Sequence, residues 1–483
     1  MTLWDRNRPS ERLREPRPLL PRRLPTGRGA MEQPNVTGDG EAALSLRFWL
    51  AVVVVGVAAG LFGALMMWLL FTVQHAAFGY RTGGFEAGVK ATSATRRVVV
   101  LLIAGLIGGF GWFVLRRLTR GQSAEIDDAV WSGSGQLAVP KSIGTSVLSE
   151  IVVGMGASLG REAAPKLLGG MSGSLVASWV RLSPAQRRLL VACGGGAGFA
   201  AVYNVPLGGA LFAAEVLCGS IALPTVLPAV VCAGVATLTA WIYLPDNATY
   251  LDIPRYHPDT RIVVWAPIAG IVIGLISTLY VRAIGWISHY RITGWRSGPV
   301  MVAGFGVVGV VGIAYPQLFG NGKGMAHDAF IGHGTAALFA ALVLLKPIAT
   351  LLCLSAGAQG GLFTPVLSTG AVLGALLGEL WQDVWPGSPL GAYALIGAAA
   401  LIGSTMQAPL SALALVLELT HSGFELMVPM VIATGIATAI TRWIDGYSIY
   451  SARLPARTAS PHVRRRDRRL RGMSPRVRRP SRS

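Results

Sequence analysis

The sequence predicts an all-α polytopic membrane protein built from two related halves. Three observations predict it. Of 483 residues, 52% are hydrophobic and 13% charged, where a soluble protein carries about 25% charged residues; the mean hydropathy is +0.53. The runs 50–73, 98–115, 189–217 and 348–377 hold one charge between them, Glu215, and about 20 apolar residues suffice for a helix to cross a bilayer. Motifs broken by glycine and proline also recur: Pro165 and Pro365 are 200 residues apart, and Pro206 and Pro409 are 203 apart. The second pair stands nine residues before Glu215 and Glu418 respectively. A cytosolic enzyme, a secreted disulfide scaffold and a disordered protein are excluded by this composition.

In chain order, residues 1–45 read as a disordered basic tail rich in Arg and Pro. Residues 1–30 hold eight Arg against Asp5, Glu11 and Glu15, a net +5, and no early apolar core, so they do not read as a secretory signal peptide. Met31, just before the body, offers a second start. The body, 46–454, divides into halves at roughly 46–244 and 263–454. Helices are expected near 46–75, 98–118, 124–139, 143–157, 163–180, 184–202, 206–218 and 222–244 in the first half. In the second they are expected near 263–292, 299–315, 334–354, 363–380, 391–405, 408–420 and 426–442. Several are too short for about 30 Å of hydrocarbon at 1.5 Å per residue. Backbone freed by Gly and Pro at membrane depth must be satisfied by protein or by a water-filled cavity, which points to a transport pathway.

The tail 455–483 reads as disordered and Arg-rich; residues 451–483 carry twelve Arg against Asp467. The two tails supply most of the net charge of +19. Basic tails around an apolar body fit the positive-inside rule and attraction to anionic lipid. Both termini are therefore expected in the cytoplasm and the protein in the plasma membrane. No aromatic residues interleave with the Arg run at 464–471, so nucleic acid is not an expected partner.

Cys193, Cys218, Cys232 and Cys353 lie in apolar segments without ligand spacing, and the seven histidines, His75, His327 and His333 among them, are scattered. They call for no metal, and nothing in the sequence calls for a cofactor. The chemistry concentrates at Gly160-Arg161-Glu162-Ala163-Ala164-Pro165, which follows a glycine-broken segment. Proline favours the first helical turn, so a helix begins near Glu162, and helix N-termini attract anions. The carboxylate of Glu162 can occupy such a site, swing out to admit a free anion, or take up a proton; the plainer alternative is a cap paired with Arg161. Gly357-Ala-Gln-Gly-Gly-Leu-Phe-Thr-Pro365 opens a second helix in the same manner. Two such ends aimed at one point would hold an anion by backbone amides, which carry no full charge and so do not trap it. Glu215 and Glu418 read equally as helix-end hydrogen bonders or as proton carriers.

These motifs, G-R-E-x-x-P and G-G-L-F-T-P in that order, resemble the CLC chloride channel and transporter family. Residues 408–420 (A-P-L-S-A-L-A-L-V-L-E-L-T) and Tyr447-Ser-Ile-Tyr450 are similar to it as well, and the likeness covers roughly 45–454. The resemblance implies a CLC-type fold of two inverted-topology repeats with many short, tilted helices. It also implies a homodimer with one pore per subunit, formed by 206–218, 222–244, 408–420 and 426–442. It makes Glu162 the gating glutamate. It places the anion against backbone amides near Arg161, Ala163, Leu362 and Phe363 and against the Tyr450 hydroxyl.

Three departures stand out. Ala163-Ala164 replaces Gly-Pro. Gly133-Ser134-Gly135, 28 residues before Glu162, lies too near to be the family's serine motif. Glu125-Ile126-Asp127 resembles the acidic run that follows that motif, so Gly121, Gln122 or Ser123 takes the serine's place. Finally, Val216 stands where proton-coupled members hold a glutamate, one position after Glu215. The reading is permeation of chloride or a similar small anion, channel-like or weakly proton-coupled, with chloride/proton antiport as the alternative. An intramembrane enzyme using Arg161, Glu162 and Glu215 is the competing class, and it lacks a nucleophile–base pair.

Overall fold

The computed structural model describes residues 45–454 except Thr82, Ser123, Ala124, Ser132 and Thr293. The basic tails lie outside the described residues, apart from Ser45, whose hydroxyl accepts the Phe48 N–H and caps the first helix. The first half runs α1 (Leu46–Phe78), α2 (Phe85–Ala91), α3 (Ala94–Leu118), α4 (Ile126–Trp131), α5 (Val139–Gly154), α6 (Ala163–Trp179) and α7 (Pro184–Tyr203). It ends with α8 (Pro206–Leu217), whose Phe212–Leu217 part is wound as a π-helix, and α9 (Leu223–Ala240). The second half runs α10 (Thr260–His289), α11 (Ser297–Ala314), α12 (Lys323–Phe330), α13 (Ala336–Ser355), α14 (Phe363–Gln382), α15 (Leu390–Met406), α16 (Pro409–Thr420) and α17 (Met427–Ile444). Among the described residues, eight helices are long and apolar enough to cross a membrane.

The halves follow one plan. α3 to α9 are repeated as α11 to α17 at offsets near 200 residues, and α1 has its counterpart in α10. Equivalent residues start and stop equivalent helices. Asn204 and Gln407 end α7 and α15 in the left-handed conformation, at φ 56° and 58°. The next helix then begins two residues later on Pro206 or Pro409, whose missing N–H costs nothing in a first turn. α6 packs on α7 through Gly169 and Gly194; a Cβ on either would meet the other's carbonyl oxygen. Gly374 and Gly397 bring α14 and α15 together as closely; a Cβ on either would meet the other's Cα. Small residues permit this backbone approach, which dispersion then holds.

Contacts across the halves reveal their symmetry. Glu215 near the end of α8 accepts the backbone N–H groups of Leu410 (3.4 Å) and Ser411 (2.7 Å) and the Ser411 hydroxyl (2.8 Å) at the start of α16. Glu418 near the end of α16 accepts the N–H groups of Leu207 (3.0 Å) and Gly208 (2.5 Å) at the start of α8. Each helix caps the other's N-terminus, so the two lie antiparallel and a two-fold axis runs across them. The halves are thus inverted relative to each other, a relation the repeat alone left open. Both glutamates satisfy free helix N–H groups with a carboxylate and complement the helix dipole.

Local structure departs from expectation in three places. The helix expected at 124–139 is only α4, ending at Trp131; Gly135 at φ 76° breaks the chain before α5 starts on Val139-Pro140. α2 and α12 were not foreseen. Each is short, preceded by glycines, and mixes charged with apolar side chains, so neither leaves an apolar run.

The reciprocal caps carry a stability prediction. Hydrogen bonds to a charged acceptor contribute about 1.5–3 kcal/mol. Glu215→Ala and Glu418→Ala should each destabilise the protein by about 2 kcal/mol, and Gln at either place by less. Thermal unfolding in detergent checks this. An unchanged melting temperature in both Ala variants would contradict the capping role.

Candidate functional site

The two signature loops meet. Gly160 N–H donates to the Gly361 carbonyl (2.7 Å) and Gly361 N–H to that of Gly160 (2.8 Å), a single antiparallel bridge between the halves. A Cβ on either glycine would strike the Glu162 carboxylate, so a side chain at 160 or 361 would push that carboxylate from its place. Glu162 precedes α6 but makes no side-chain cap on that helix. It reaches across to the other half. Its Oε1 accepts the Phe363 N–H (2.8 Å) at the start of α14. Its Oε2 accepts the hydroxyls of Tyr203 (3.0 Å) and Thr364 (3.2 Å), which are 2.5 Å from each other. The side chain is 3% exposed. A helix N-terminus in a dry interior demands an anionic acceptor, and Glu162 supplies one.

Two cavities flank this point. A small one of about 80 Å³ is lined by Glu162, Ala163, Lys166, Leu362, Tyr450 and Arg453. A larger one of about 680 Å³ is lined by Arg161, Lys323, His75, His327 and Glu86, with Val153 of α5 in its wall. Consecutive residues thus face different compartments, Arg161 one and Glu162 the other. Arg161 and Glu162 form no ion pair among the described residues; the Arg161 guanidinium lies over the Tyr203 ring, 4.8 Å from its centre. Lys166 sits 4.7 Å from the centre of the Tyr450 ring in the small cavity.

Of the sequence-predicted residues, Glu162, Ala163, Leu362 and Tyr450 come together around the small cavity, with the Phe363 N–H on Glu162. Arg161 faces the other side. Gly121 lines neither cavity, and nothing stands within 4 Å of where its Cβ would be. Ser123 lies outside the described residues. The hydroxyl groups on the small cavity's wall come instead from α5, at Thr145, Ser146 and Ser149. Glu215 is committed to α16, and Val216 is buried and lines neither cavity. Arg161, Glu162 and Glu215 therefore do not converge on one reacting point, as the enzyme reading requires. Tyr203, Thr364 and Lys166 were not singled out from the sequence. Lys166 carried a signal, being one of only five lysines and lying in an apolar helix; the hydroxyl partners carried none.

A family model described as voltage gated chloride channel matches residues 104–442. The voltage-gated ClC-type chloride channel ClcB of Citrobacter koseri is 28% identical over 411 residues, 83% of this chain and 97% of that one. The ClcB channel of Yersinia pseudotuberculosis is 30% identical over 411 residues, 82% of this chain and 98% of that one. Among solved structures, a slow cyanobacterial Cl−/H+ antiporter matches with a TM-score of 0.74 at 19% identity, over 89% of this chain and 100% of the other. A CLC-type fluoride/proton antiporter matches at 0.65 and 21% identity, over 84% and 96%. At such identities the structural likeness speaks to the fold alone.

The larger cavity is basic at its wall. Its Glu86 is neutralised by Lys90 at 2.6 Å, which leaves Arg161 and Lys323 to set the field. Lys323 is exposed to the cavity; crowding by the surrounding protein, and then the Arg161 charge, lower its ammonium to about 8. Lys323 is charged below this value and neutral above it, so its attraction for anions is full near neutrality and fades in alkali. Lys323→Met should reduce anion flux at neutral pH by roughly threefold, since a focused field raises arrival rates. It should also abolish the fall in flux above about pH 8. Flux measured across this range in both proteins checks it; an alkaline fall that persists in Lys323→Met would assign it elsewhere.

Proposed function

The chain belongs to the voltage-gated chloride channel family, and from that premise we propose that it passes chloride through a pore gated by Glu162. One observation carries this reading: the Glu162 carboxylate holds the Phe363 N–H at 2.8 Å, at a helix N-terminus between two cavities. A permeating anion needs the same donor. Carboxylate and anion compete for one place, and protonation of Glu162 weakens its hold and releases the donor. Backbone N–H groups near Ala163, Leu362 and Phe363 then receive the ion, and Lys166 and the Tyr450 hydroxyl attend it in the small cavity. Chloride is the ion by analogy with the ClcB relatives.

Coupling to protons divides two readings. Valine cannot carry a proton, so Val216 closes the route that the family resemblance associates with exchange and favours channel-like or weakly coupled flux. Antiport is favoured by the similarity to solved proteins described as Cl−/H+ and fluoride/proton antiporters, and it requires a carboxyl group elsewhere.

The orientation follows from charge. Gln74 and His75 near the end of α1 line the larger cavity, so α1 starts on the opposite side, and Arg453 lines the small one. The described ends of the chain, Leu46 and Arg453, thus lie on the small cavity's side, and with Arg-rich sequence beyond them the positive-inside rule assigns that side to the cytoplasm of a plasma-membrane protein. Anionic lipid there attracts the tails. Exposed Leu207, Leu223, Leu410 and Val428 give α8, α9, α16 and α17 the apolar surface that a homodimer needs.

Anion efflux from proteoliposomes tests the gate. Wild-type flux should rise as the pH on both sides falls from about 8 to about 4, down to the ordinary carboxylate range. Glu162→Gln imitates the protonated form, so its flux should be higher at about pH 8 and change less than about twofold over the range. A wild-type pH response in Glu162→Gln would make Glu162 a fixed structural cap.

A further inference from the structure

Asp127, in the first turn of α4, lines the small cavity. Its Oδ1 is buried there and accepts no hydrogen bond. A buried polar atom left without a partner is costly. On the wall of an anion site it is also misplaced, because a carboxylate oxygen repels a halide, which can only accept hydrogen bonds. Glu125, on the same wall, already has a partner. The free acceptor is therefore that of Asp127.

Cations face the same space. Lys166 and Arg453 line the cavity, and the Asp127 carboxylate lies within the electrostatic reach of both. Neither forms an ion pair with it among the described residues. The Lys166 ammonium is held instead over the rings of Tyr450, at 4.7 Å, and Phe212, at 5.7 Å. A gap thus separates ammonium from carboxylate. The cavity of about 80 Å³ is larger than the roughly 30 Å³ share of one water. Its wall adds hydroxyls at Thr145, Ser149 and Tyr450; that of Ser149, 2% exposed, also has no partner. A hydroxyl can donate to a ligand's oxygen or accept from its O–H.

We propose that the small cavity is also a site for an oxyanion that brings its own O–H, the class of bicarbonate. Lys166 faces the negative oxygens, and the ion's O–H donates to Asp127 Oδ1. That charge-assisted hydrogen bond turns a repelling carboxylate into a partner. Chloride has no proton to donate. Neither has nitrate, an oxyanion of the same planar shape and charge as bicarbonate. Asp127 thus sets which anion is preferred, and Lys166 sets how tightly any anion is held. This deepens the proposed function by naming a second substrate class, and it rests on the anion occupying the small cavity.

Calorimetric titration of the purified protein with chloride, nitrate or bicarbonate tests the proposal, at about pH 8, where an ordinary aspartate is ionised and a lysine charged. Wild type should bind bicarbonate about tenfold more tightly than nitrate, the scale of one hydrogen bond to a charged group. Asp127→Ala should erase that preference and bind chloride at least as tightly as wild type does. Lys166→Met should weaken both oxyanions and keep their ratio. If Asp127→Ala fails to fold, the wild-type ratio still decides, since it needs no variant. Equal wild-type affinities for bicarbonate and nitrate, no bicarbonate binding, or a preference that survives Asp127→Ala overturns the proposal and leaves Asp127 to water. Those results would leave the gate standing, which fails only if Glu162→Gln keeps its pH response or no anion flux is found.

Discussion

Free N–H groups at the start of a helix, held in an interior that water does not fill, must find a negative partner. The structure meets that demand three times with one device, a glutamate carboxylate reaching over from the other half. Glu215 caps α16, Glu418 caps α8, and Glu162 meets α14. In the first two, the carboxylate holds two successive backbone N–H groups, and neither borders the small cavity beside Glu162. Glu162 holds one backbone N–H and two hydroxyls, and it faces that cavity. The chemistry is shared; what separates the three is the small cavity, which Glu162 alone among them lines. In the proposed function, that is what opens Glu162 to competition from an ion.

The inverted repeat makes this arrangement possible. Two copies of a loop-plus-helix unit, related by a two-fold axis, bring two signature loops to one place from opposite sides. There Gly160 and Gly361 bond each other directly and leave room for the carboxylate because they have no side chains. The same inversion sets Arg161 and Glu162 in different cavities, so that a single residue step separates the two water-accessible compartments. Short helices follow from this geometry: α8 and α16 stop within the protein, where the partner half satisfies their ends.

Much of this was legible in the sequence, for a physical reason. At membrane depth, Gly, Pro and charged residues have few acceptable settings, so Gly160, Glu162, Gly361 and the Pro-to-Glu spacings announced the loops and the repeat. The capping role of Glu215 and Glu418 was legible as one of two alternatives. Illegible were contacts that depend on which helix lies beside which. The partner of Glu162 is Phe363, 201 residues away, and Tyr203 and Thr364 are ordinary hydroxyls until the fold brings them together. Gly121, reached by carrying a motif's register past the non-helical 133–138, lines neither of the two cavities.

Competition between the Glu162 carboxylate and an anion for the Phe363 N–H is most directly tested by anomalous diffraction from crystals grown in bromide. In wild-type crystals the carboxylate should occupy the position and no bromide peak should overlap it. In Glu162→Ala crystals a bromide peak should appear against the Phe363 N–H, where the carboxylate oxygen had been. Absence of that peak in the variant, or a bromide bound to the Phe363 N–H beside an intact, unmoved carboxylate, would contradict the competition and with it the gate.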